Sequence, residues 1–162
     1  MKYKMHINDY NHFLKLLTKK NVLCIGDLIL DKFIDNEIIK ISDEDPINVI
    51  KEKKSQFKLG GVGNVALNLL NTGVKVKLIS VGSIDENSKI LNKLLKNKKI
   101  NNKVFINKGK ITTVKERFYI DKYHLIRSDK ENNLLISNKL SDRIINYIIK
   151  LLDNYNYDAL LI

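Results

Sequence analysis

The stretch KLGGVGNVALNLLNTG, residues 58–73, places three glycines in four positions and then continues into an apolar segment with helical spacing. Within it, Gly61 to Ala66 match the dinucleotide-binding pattern G-x-G-x-x-A, and Asp85 lies roughly where that pattern places an acid for a ribose. The pattern requires a buried strand directly before the glycines, whereas residues 51–59 are charged and poor in strand formers. The sequence therefore argues against a dinucleotide turn.

The same glycines can serve another kind of ligand. Glycines ahead of a helix let a ligand approach the backbone, and the unpaired N–H groups and dipole of the helix favour oxygen-rich or anionic groups. Asn64, which we predict at or near the N-cap of this helix, adds a donor and an acceptor that suit a hydroxyl. The alternative is that the glycines form only a tight turn.

Two carboxylates change the balance between these alternatives. Asp27 and Asp31 directly follow the apolar run VLCIG. Carboxylates at the C-terminal end of a strand can bind neighbouring sugar hydroxyls, although two solvated loop acids would give the same pattern. Together with the glycines, the two acids favour a polyol site.

The segments around the glycines alternate between strand and helix patterns. Continuous apolar runs are typical of buried strands, and apolar residues three and four positions apart are typical of helices packed on a sheet. The alternation predicts an α/β fold with a mostly parallel sheet. The predicted helices are residues 10–17, 65–72, 85–99 and 140–155, the last with Ser141 as N-cap, and the predicted buried strands are residues 21–31, 74–82, 103–106 and 158–162.

Two further pairs of strands are predicted to form a small exposed lid. Residues 33–58 mix β-branched and charged side chains and are divided by the acidic turn SDEDP, which contains the only proline, Pro46. Residues 112–127 form a predicted hairpin that turns at Asp121 and Lys122. The charged residues on both pairs indicate strands that are only partly covered.

Length and composition limit the class of protein. A chain of 162 residues with 44% hydrophobic content can form one domain with a buried core. No apolar run is long enough to cross a membrane, and the N-terminal segment lacks the apolar core and cleavage site of a signal peptide, so we expect a cytoplasmic protein without a membrane partner. The single cysteine, Cys24, lies in an apolar run and is predicted to be a small core residue.

The net charge of +11 raises the question of nucleic-acid binding. The lysines are spread over every segment, however, and the chain has only three arginines, at positions 117, 127 and 143. Proteins that read bases favour arginine forks and concentrated basic faces. We therefore interpret the charge as a compositional bias and expect no nucleic-acid partner.

Several motifs together resemble those of the ribokinase-like sugar kinases, the PfkB family. GDLILD is followed about thirty residues later by GGVGNVA, and KISDEDPINVIK, LISVGSID, TTVKERFY and HLIRSD occur in the family's order over about residues 21–162. The short glycine loop, with two residues between the second glycine and Asn64, is similar to that of the bifunctional heptose-7-phosphate kinase/heptose-1-phosphate adenylyltransferases of Gram-negative bacteria.

The resemblance implies both a fold and an activity. The fold would be a Rossmann-like α/β/α sandwich with a small β-lid over the sugar, a lid that often forms a homodimer interface. The activity would be transfer of the γ-phosphoryl group of ATP, with Mg²⁺, to the anomeric hydroxyl of D-glycero-D-manno-heptose 7-phosphate. That reaction feeds the synthesis of the lipopolysaccharide core.

The resemblance also implies the residues of the substrate site. Asp31 is expected to bind sugar hydroxyls, with Asp27 as its neighbour, and the loop expected to close on the sugar contains Gly60, Gly61 and Asn64. The candidates for the 7-phosphate are three cations in the motifs TVKER and LIRSD, namely Lys115, Arg117 and Arg127. The alternative for these cations is that they are surface charges of the lid.

Other family motifs do not occur in this sequence. The catalytic aspartate of the G-A-G-D motif, the ATP-binding loops and the adenylyltransferase H-x-G-H motif are absent, and the sequence stops at Ile162 inside an apolar run. We therefore expect residues 1–162 to be the N-terminal part of one kinase domain, without a catalytic residue or metal ligand of its own and inactive alone. The alternative is a non-catalytic remnant, or a sugar-phosphate-binding module of a PfkB kinase with another substrate.

Overall fold

The computed structural model describes residues 7–162, and the first part of the N-terminal segment considered above lies outside them. Helices and strands alternate along most of this range. In chain order the elements are α1 (Ile7–Leu17), β1 (Asn21–Ile25), β2 (Leu28–Ile41), β3 (Asn48–Gly61), α2 (Val62–Asn71), β4 (Lys75–Gly82), α3 (Glu86–Asn97), β5 (Asn101–Ile106), β6 (Val114–Ile120), β7 (Tyr123–Lys130), α4 (Asn138–Asn154) and β8 (Ala159–Leu161).

Four of the strands form a parallel sheet in the order β5-β4-β1-β8. Its central strands are apolar, and Cys24 and Leu78 are fully buried in it. Helices α2 and α3 cover one face through residues such as Ala66 and Leu95, whereas α4 covers the other face through Ile144. The α/β/α layering predicted from the sequence is therefore observed.

Cys24 is a core residue, as predicted. Its side chain has no exposed surface, and burial raises the pKa of its thiol. A buried thiol with a raised pKa forms little of the thiolate that reacts with electrophiles.

The predicted single strand over residues 21–31 is wrong, because the chain changes sheets within it. Strand β1 ends at Ile25, and β2 begins at Leu28 in a second sheet. The break is held by hydrogen bonds from the Gly26 N–H to the Ile79 carbonyl (3.2 Å) and from the Leu28 N–H to the Ser80 hydroxyl (3.1 Å). A continuous apolar run gives no sign of this change of direction, since both strands are buried there.

The second sheet has the strand order β3-β2-β6-β7, and we call it the lid sheet. Strands β2 and β3 are antiparallel, β2 and β6 are parallel, and β6 and β7 form a hairpin. That hairpin turns at Asp121 and Lys122, both with positive φ, as the sequence predicted. Residues 51–59 are part of β3, in agreement with the lid strands predicted over residues 33–58, because pairing with β2 outweighs their poor strand propensity.

The N-cap of α4 is Ser137 and not Ser141. The Ser137 hydroxyl accepts a hydrogen bond from the Leu140 N–H (3.3 Å), and its carbonyl accepts one from the Ser141 N–H (2.9 Å). The apolar periodicity that suggested Ser141 begins only at Leu140, so it did not reveal the first polar turn of the helix.

We expect Ser137→Ala to lower the free energy of unfolding by about 1 kcal/mol, because the first turn of α4 loses its capping oxygen. In a chain of this size that loss corresponds to a fall of about 2–4 °C in the melting temperature. Ser141→Ala is the matched control and should change the melting temperature by less than half as much. Equal effects of the two changes in thermal melts would contradict the observed cap.

Candidate functional site

The glycine loop packs against the turn between β1 and β2. Gly61 has φ +54°, and its neighbour Val62 donates a backbone hydrogen bond to the Asp27 carbonyl (2.9 Å). A β-carbon at Gly61 would overlap that carbonyl oxygen, so only glycine fits the position without a shift. The loop is therefore fixed by the backbone of Asp27, a residue whose side chain is exposed.

The carboxylate of Asp31 lies beside the same loop. A β-carbon at Gly60 would be 2.6 Å from Asp31 Oδ2, so the absent side chain of the glycine leaves room for this oxygen. The other oxygen, Oδ1, accepts a hydrogen bond from Arg117 Nη1 (2.5 Å). Both side chains are largely buried, with 17% and 21% of their surfaces exposed, so Arg117 holds Asp31 in one orientation and balances its charge.

An aromatic ring completes this arrangement. Phe33 lies on β2 two residues after Asp31, on the same face of the strand. The guanidinium of Arg117 lies 5.3 Å from the centre of the ring, and the ammonium of Lys58 lies 4.5 Å from it. These cation–π contacts keep two positive groups close to the Asp31 carboxylate.

Asp31 and Asn64 line one cavity of about 460 Å³, a size typical of pockets for small molecules. The cavity lies between the edge of the lid sheet and helices α2 and α3, and its apolar part is formed by side chains such as Phe57 and Leu94. Asn64 is the third residue of α2, whose N-cap is Gly61, and its side chain is exposed. An aspartate and an amide facing a common cavity can bind several hydroxyl groups.

The structure brings some of the predicted site residues together and separates others. Asp31, Gly60 and Asn64 surround or adjoin the cavity, whereas the side chain of Asp27 does not line it. Lys115 and Arg127 both pair with Asp129 on β7, at 3.3 and 2.9 Å. The three predicted phosphate ligands thus each contact a carboxylate, since Arg117 pairs with Asp31. Their assignment to the phosphate stays a prediction.

Two lysines that the sequence analysis missed line the cavity. Lys58 is on β3, directly opposite Asp31 in the strand register, and Lys98 is the C-cap residue of α3. Lys58 begins the glycine-rich stretch of residues 58–73, but in the sequence it is only a charged residue before the glycines. Lys98 is forty residues away, and only tertiary packing brings the end of α3 to this edge of β3.

Asp85 has a structural role and is not a ribose-binding acid. It is the N-cap of α3, where it accepts a hydrogen bond from the Ser88 N–H (2.8 Å), and it also accepts bonds from the Thr112 N–H and hydroxyl (both 2.7 Å) and from the Ser83 hydroxyl (3.0 Å). Partial burial raises the pKa of Asp85, but these hydrogen bonds outweigh it and leave the pKa below its usual value. The carboxylate thereby joins α3 to the segment before β6.

We expect Asp85 to make stability depend on pH in the acid range. Because its folded-state pKa is lowered, its contribution is fully present above the ordinary pKa of 3.8 and is lost as the pH falls through the lowered value. Asp85→Asn should cost roughly 1 kcal/mol or more at pH 7 and progressively less below about pH 4. Urea denaturation of both proteins at pH 7 and pH 3 measures this, and a constant difference between them would contradict the assignment.

No three His, Cys, Asp or Glu side chains among residues 7–162 lie close enough together to hold an ion. Mg²⁺ is usually bound by one or two carboxylates together with substrate phosphates and waters. We assign no step of the reaction to the Mg²⁺ that the resemblance implies. Over the same residues, no helix is both long and apolar enough to span a membrane.

Comparison with solved structures identifies the fold. Phosphofructokinase-2 from Escherichia coli in complex with fructose-6-phosphate superposes with a TM-score of 0.64 at 14% identity, over 88% of this chain and 44% of that one. A carbohydrate kinase from Agrobacterium tumefaciens gives 0.54 at 18% identity, over 68% and 35%. An archaeal member of the ribokinase family, the nucleoside kinase of Methanocaldococcus jannaschii, gives 0.52 at 22% identity. The fold is that of the ribokinase-like carbohydrate kinases, as predicted.

Comparison with curated sequences identifies relatives. No family model matches the chain. The bifunctional protein HldE of Rhodopseudomonas palustris (strain HaA2) is 30% identical over 150 residues, and that of Campylobacter curvus (strain 525.92) is 33% identical over 149 residues. These alignments cover 91% and 88% of the chain, which spans about a third of the length of the relatives. The chain is thus homologous to HldE proteins over this third of their length.

Proposed function

We propose that the chain forms the sugar-binding part of a carbohydrate kinase whose substrate is D-glycero-D-manno-heptose 7-phosphate. The observation that carries the proposal is the cavity in which Asp31, oriented by Arg117 and seated against Gly60, faces Asn64. The kinship with HldE proteins supports the class of substrate. When bound elsewhere in a complete domain, ATP and Mg²⁺ would supply the phosphoryl group that passes to the anomeric hydroxyl.

In this proposal the chain binds and orients the sugar. Asp31 accepts hydrogen bonds from sugar hydroxyls, while Asn64 both donates and accepts, and Gly60 allows the sugar to approach the backbone. Positioning and charge stabilisation account for most of the catalysis in phosphoryl transfer, so a site without a base or nucleotide loops should not turn over. The residues described here hold the substrate, and the transfer itself requires groups that they do not include.

The proposal is tested by two measurements on the 162-residue chain. Calorimetry should detect binding of heptose 7-phosphate, and a coupled assay with heptose 7-phosphate and Mg-ATP should detect no steady release of ADP. Multiple turnovers would refute the claim that essential groups lie outside this chain. Absence of binding would refute the sugar site itself.

A second candidate is a sugar-phosphate-binding module without kinase activity, or one specific for another sugar. It is favoured by the cavity that Asp31 and Asn64 line, because binding a ligand there requires no phosphoryl transfer. Binding of fructose 6-phosphate in preference to heptose 7-phosphate would support a different substrate.

We also propose that two copies associate through the lid sheet. Large apolar side chains are exposed on or beside this sheet, among them Ile38, Ile39, Ile41, Ile47 and Ile126. Burying such side chains between two copies would remove apolar surface from water, which favours association. Sedimentation equilibrium should give a dimer, and Ile39→Glu with Ile41→Glu should convert it to a monomer.

A further inference from the structure

We infer that Lys58 and Lys98 bind the phosphate group of a ligand in the cavity that Asp31 and Asn64 also line. The inference rests on the proposed sugar-binding function and adds to it the residues that would distinguish a phosphorylated sugar from a free one. It concerns two residues in elements distant along the chain, β3 and the end of α3, and neither belongs to the motifs that suggested a phosphate site.

Both lysines are available to a ligand. They line the cavity, and neither has a carboxylate within 4.0 Å among the described residues. Lys58 is instead held by the ring of Phe33. A cation without an acidic partner can bind an incoming anion without first losing an existing ion pair, which Lys115 and Arg127 would have to do with Asp129.

The charges in and around the cavity match a phosphate monoester. The negative charge of Asp31 is balanced by Arg117, with which it forms a short, largely buried contact. Lys58 and Lys98 then remain as two uncompensated positive charges on the cavity wall. A phosphate monoester carries between one and two negative charges at neutral pH and accepts several hydrogen bonds, so it complements two ammonium groups.

The lysines and the hydroxyl-binding side chains that line the cavity would therefore recognise different parts of one ligand. Asp31 and Asn64 suit hydroxyl groups, and the two lysines suit the phosphate. The three cations on β6 and β7 then have other roles. Arg117 positions Asp31, whereas Lys115 and Arg127 both pair with Asp129 and so help to join β6 to β7. Specificity for a phosphorylated sugar is thereby assigned to β3 and α3.

The test compares matched pairs of substitutions by calorimetry with heptose 7-phosphate and with unphosphorylated heptose. Lys58→Gln with Lys98→Gln should weaken binding of the phosphate ester by about a hundredfold, roughly tenfold for each lost charged hydrogen bond, and leave binding of the free sugar nearly unchanged. Lys51→Gln with Lys96→Gln removes the same charge from the same two elements outside the cavity and should have little effect.

A third pair, Lys115→Gln with Arg127→Gln, tests the competing assignment. If this pair weakens binding of the phosphate ester and the Lys58 and Lys98 pair does not, the inference is overturned while the proposed function stands. If the wild-type chain binds fructose 6-phosphate but not the heptose, and binding depends on Lys58 and Lys98, the inference stands and the heptose is wrong. If no sugar phosphate binds, both fail.

Discussion

Asp31→Ala should weaken the binding of heptose 7-phosphate to the chain by about a hundredfold or more. A carboxylate that accepts two hydrogen bonds from sugar hydroxyls contributes about 1.5–3 kcal/mol for each, and 1.4 kcal/mol corresponds to a factor of ten. The substitution also leaves the Arg117 guanidinium without the acceptor that Asp31 now provides. The loss should therefore exceed that of any other single substitution in the site. Isothermal titration calorimetry measures it directly.

The matched control for Asp31 is Asp35→Ala. Asp35 is on the same strand and the same face, but it is exposed and does not line the cavity. Its removal should change the affinity less than threefold. Thermal melts of both variants separate a loss of binding from a loss of folding. Unchanged affinity of a folded Asp31→Ala protein would exclude Asp31 from the sugar site.

Gly61→Ala should lower the free energy of unfolding by roughly 2–4 kcal/mol. The residue has φ +54° and ψ −136°, a conformation that residues with a β-carbon rarely adopt, and the added carbon would overlap the Asp27 carbonyl oxygen. The loop would have to move away from the β1–β2 turn, which would also displace Gly60 from Asp31. We therefore expect weaker sugar binding together with a lower urea midpoint.

Gly109→Ala is a control that separates the cost of the positive φ from the cost of the overlap with a neighbouring atom. Gly109 also has a positive φ, of +84°, but a β-carbon there would be 3.4 Å or more from its nearest neighbour, a methyl group of Leu134. Gly109→Ala should therefore lower the free energy of unfolding by only about 1 kcal/mol, the cost of placing a residue with a β-carbon at a positive φ. If Gly61→Ala were no more destabilising than Gly109→Ala, the close packing of the loop on Asp27 would be disproved.

The sequence predicted the alternation of strands and helices, and with it a parallel sheet, because hydrophobic periodicity is local, whereas the α/β/α layers were expected from the family resemblance. The alternating strands and helices, the hairpin at Asp121 and the glycine turn before α2 were all read from neighbouring residues. The change of sheet after Ile25 was not predicted, because a buried strand that passes from one sheet to another stays apolar throughout. Ser137 was missed for a related reason, because the first turn of α4 is polar and the helical pattern begins after it.

The candidate site was predicted in part for the same reason. Asp31, Gly60 and Asn64 lie in or next to motifs with recognisable spacing, and the structure places them around one cavity or beside it. Lys58 and Lys98 carry no such spacing, because their proximity arises from the packing of α3 against the lid sheet. The chain is rich in lysine, and only the three-dimensional structure shows which of its lysines have no acidic partner.

The connection between β1 and β2 lies at one end of the long strand β2, so a rotation about this connection would displace the two ends of β2 by different distances. The chain passes from the parallel sheet to the lid sheet at Gly26 and Asp27, and it leaves the lid sheet at Gly61. The next residue, Val62, donates a backbone hydrogen bond to the Asp27 carbonyl. At about 3.3 Å per residue, Asp31 is roughly 10 Å along β2 from this point and the far end of β2 roughly 40 Å. A rotation of about 5° there would move Asp31 by roughly 1 Å and the tip by more than 3 Å. If the lid sheet rotated about this connection, the Asp31 carboxylate, which we propose binds the sugar, would move little and the far end of β2 would move most.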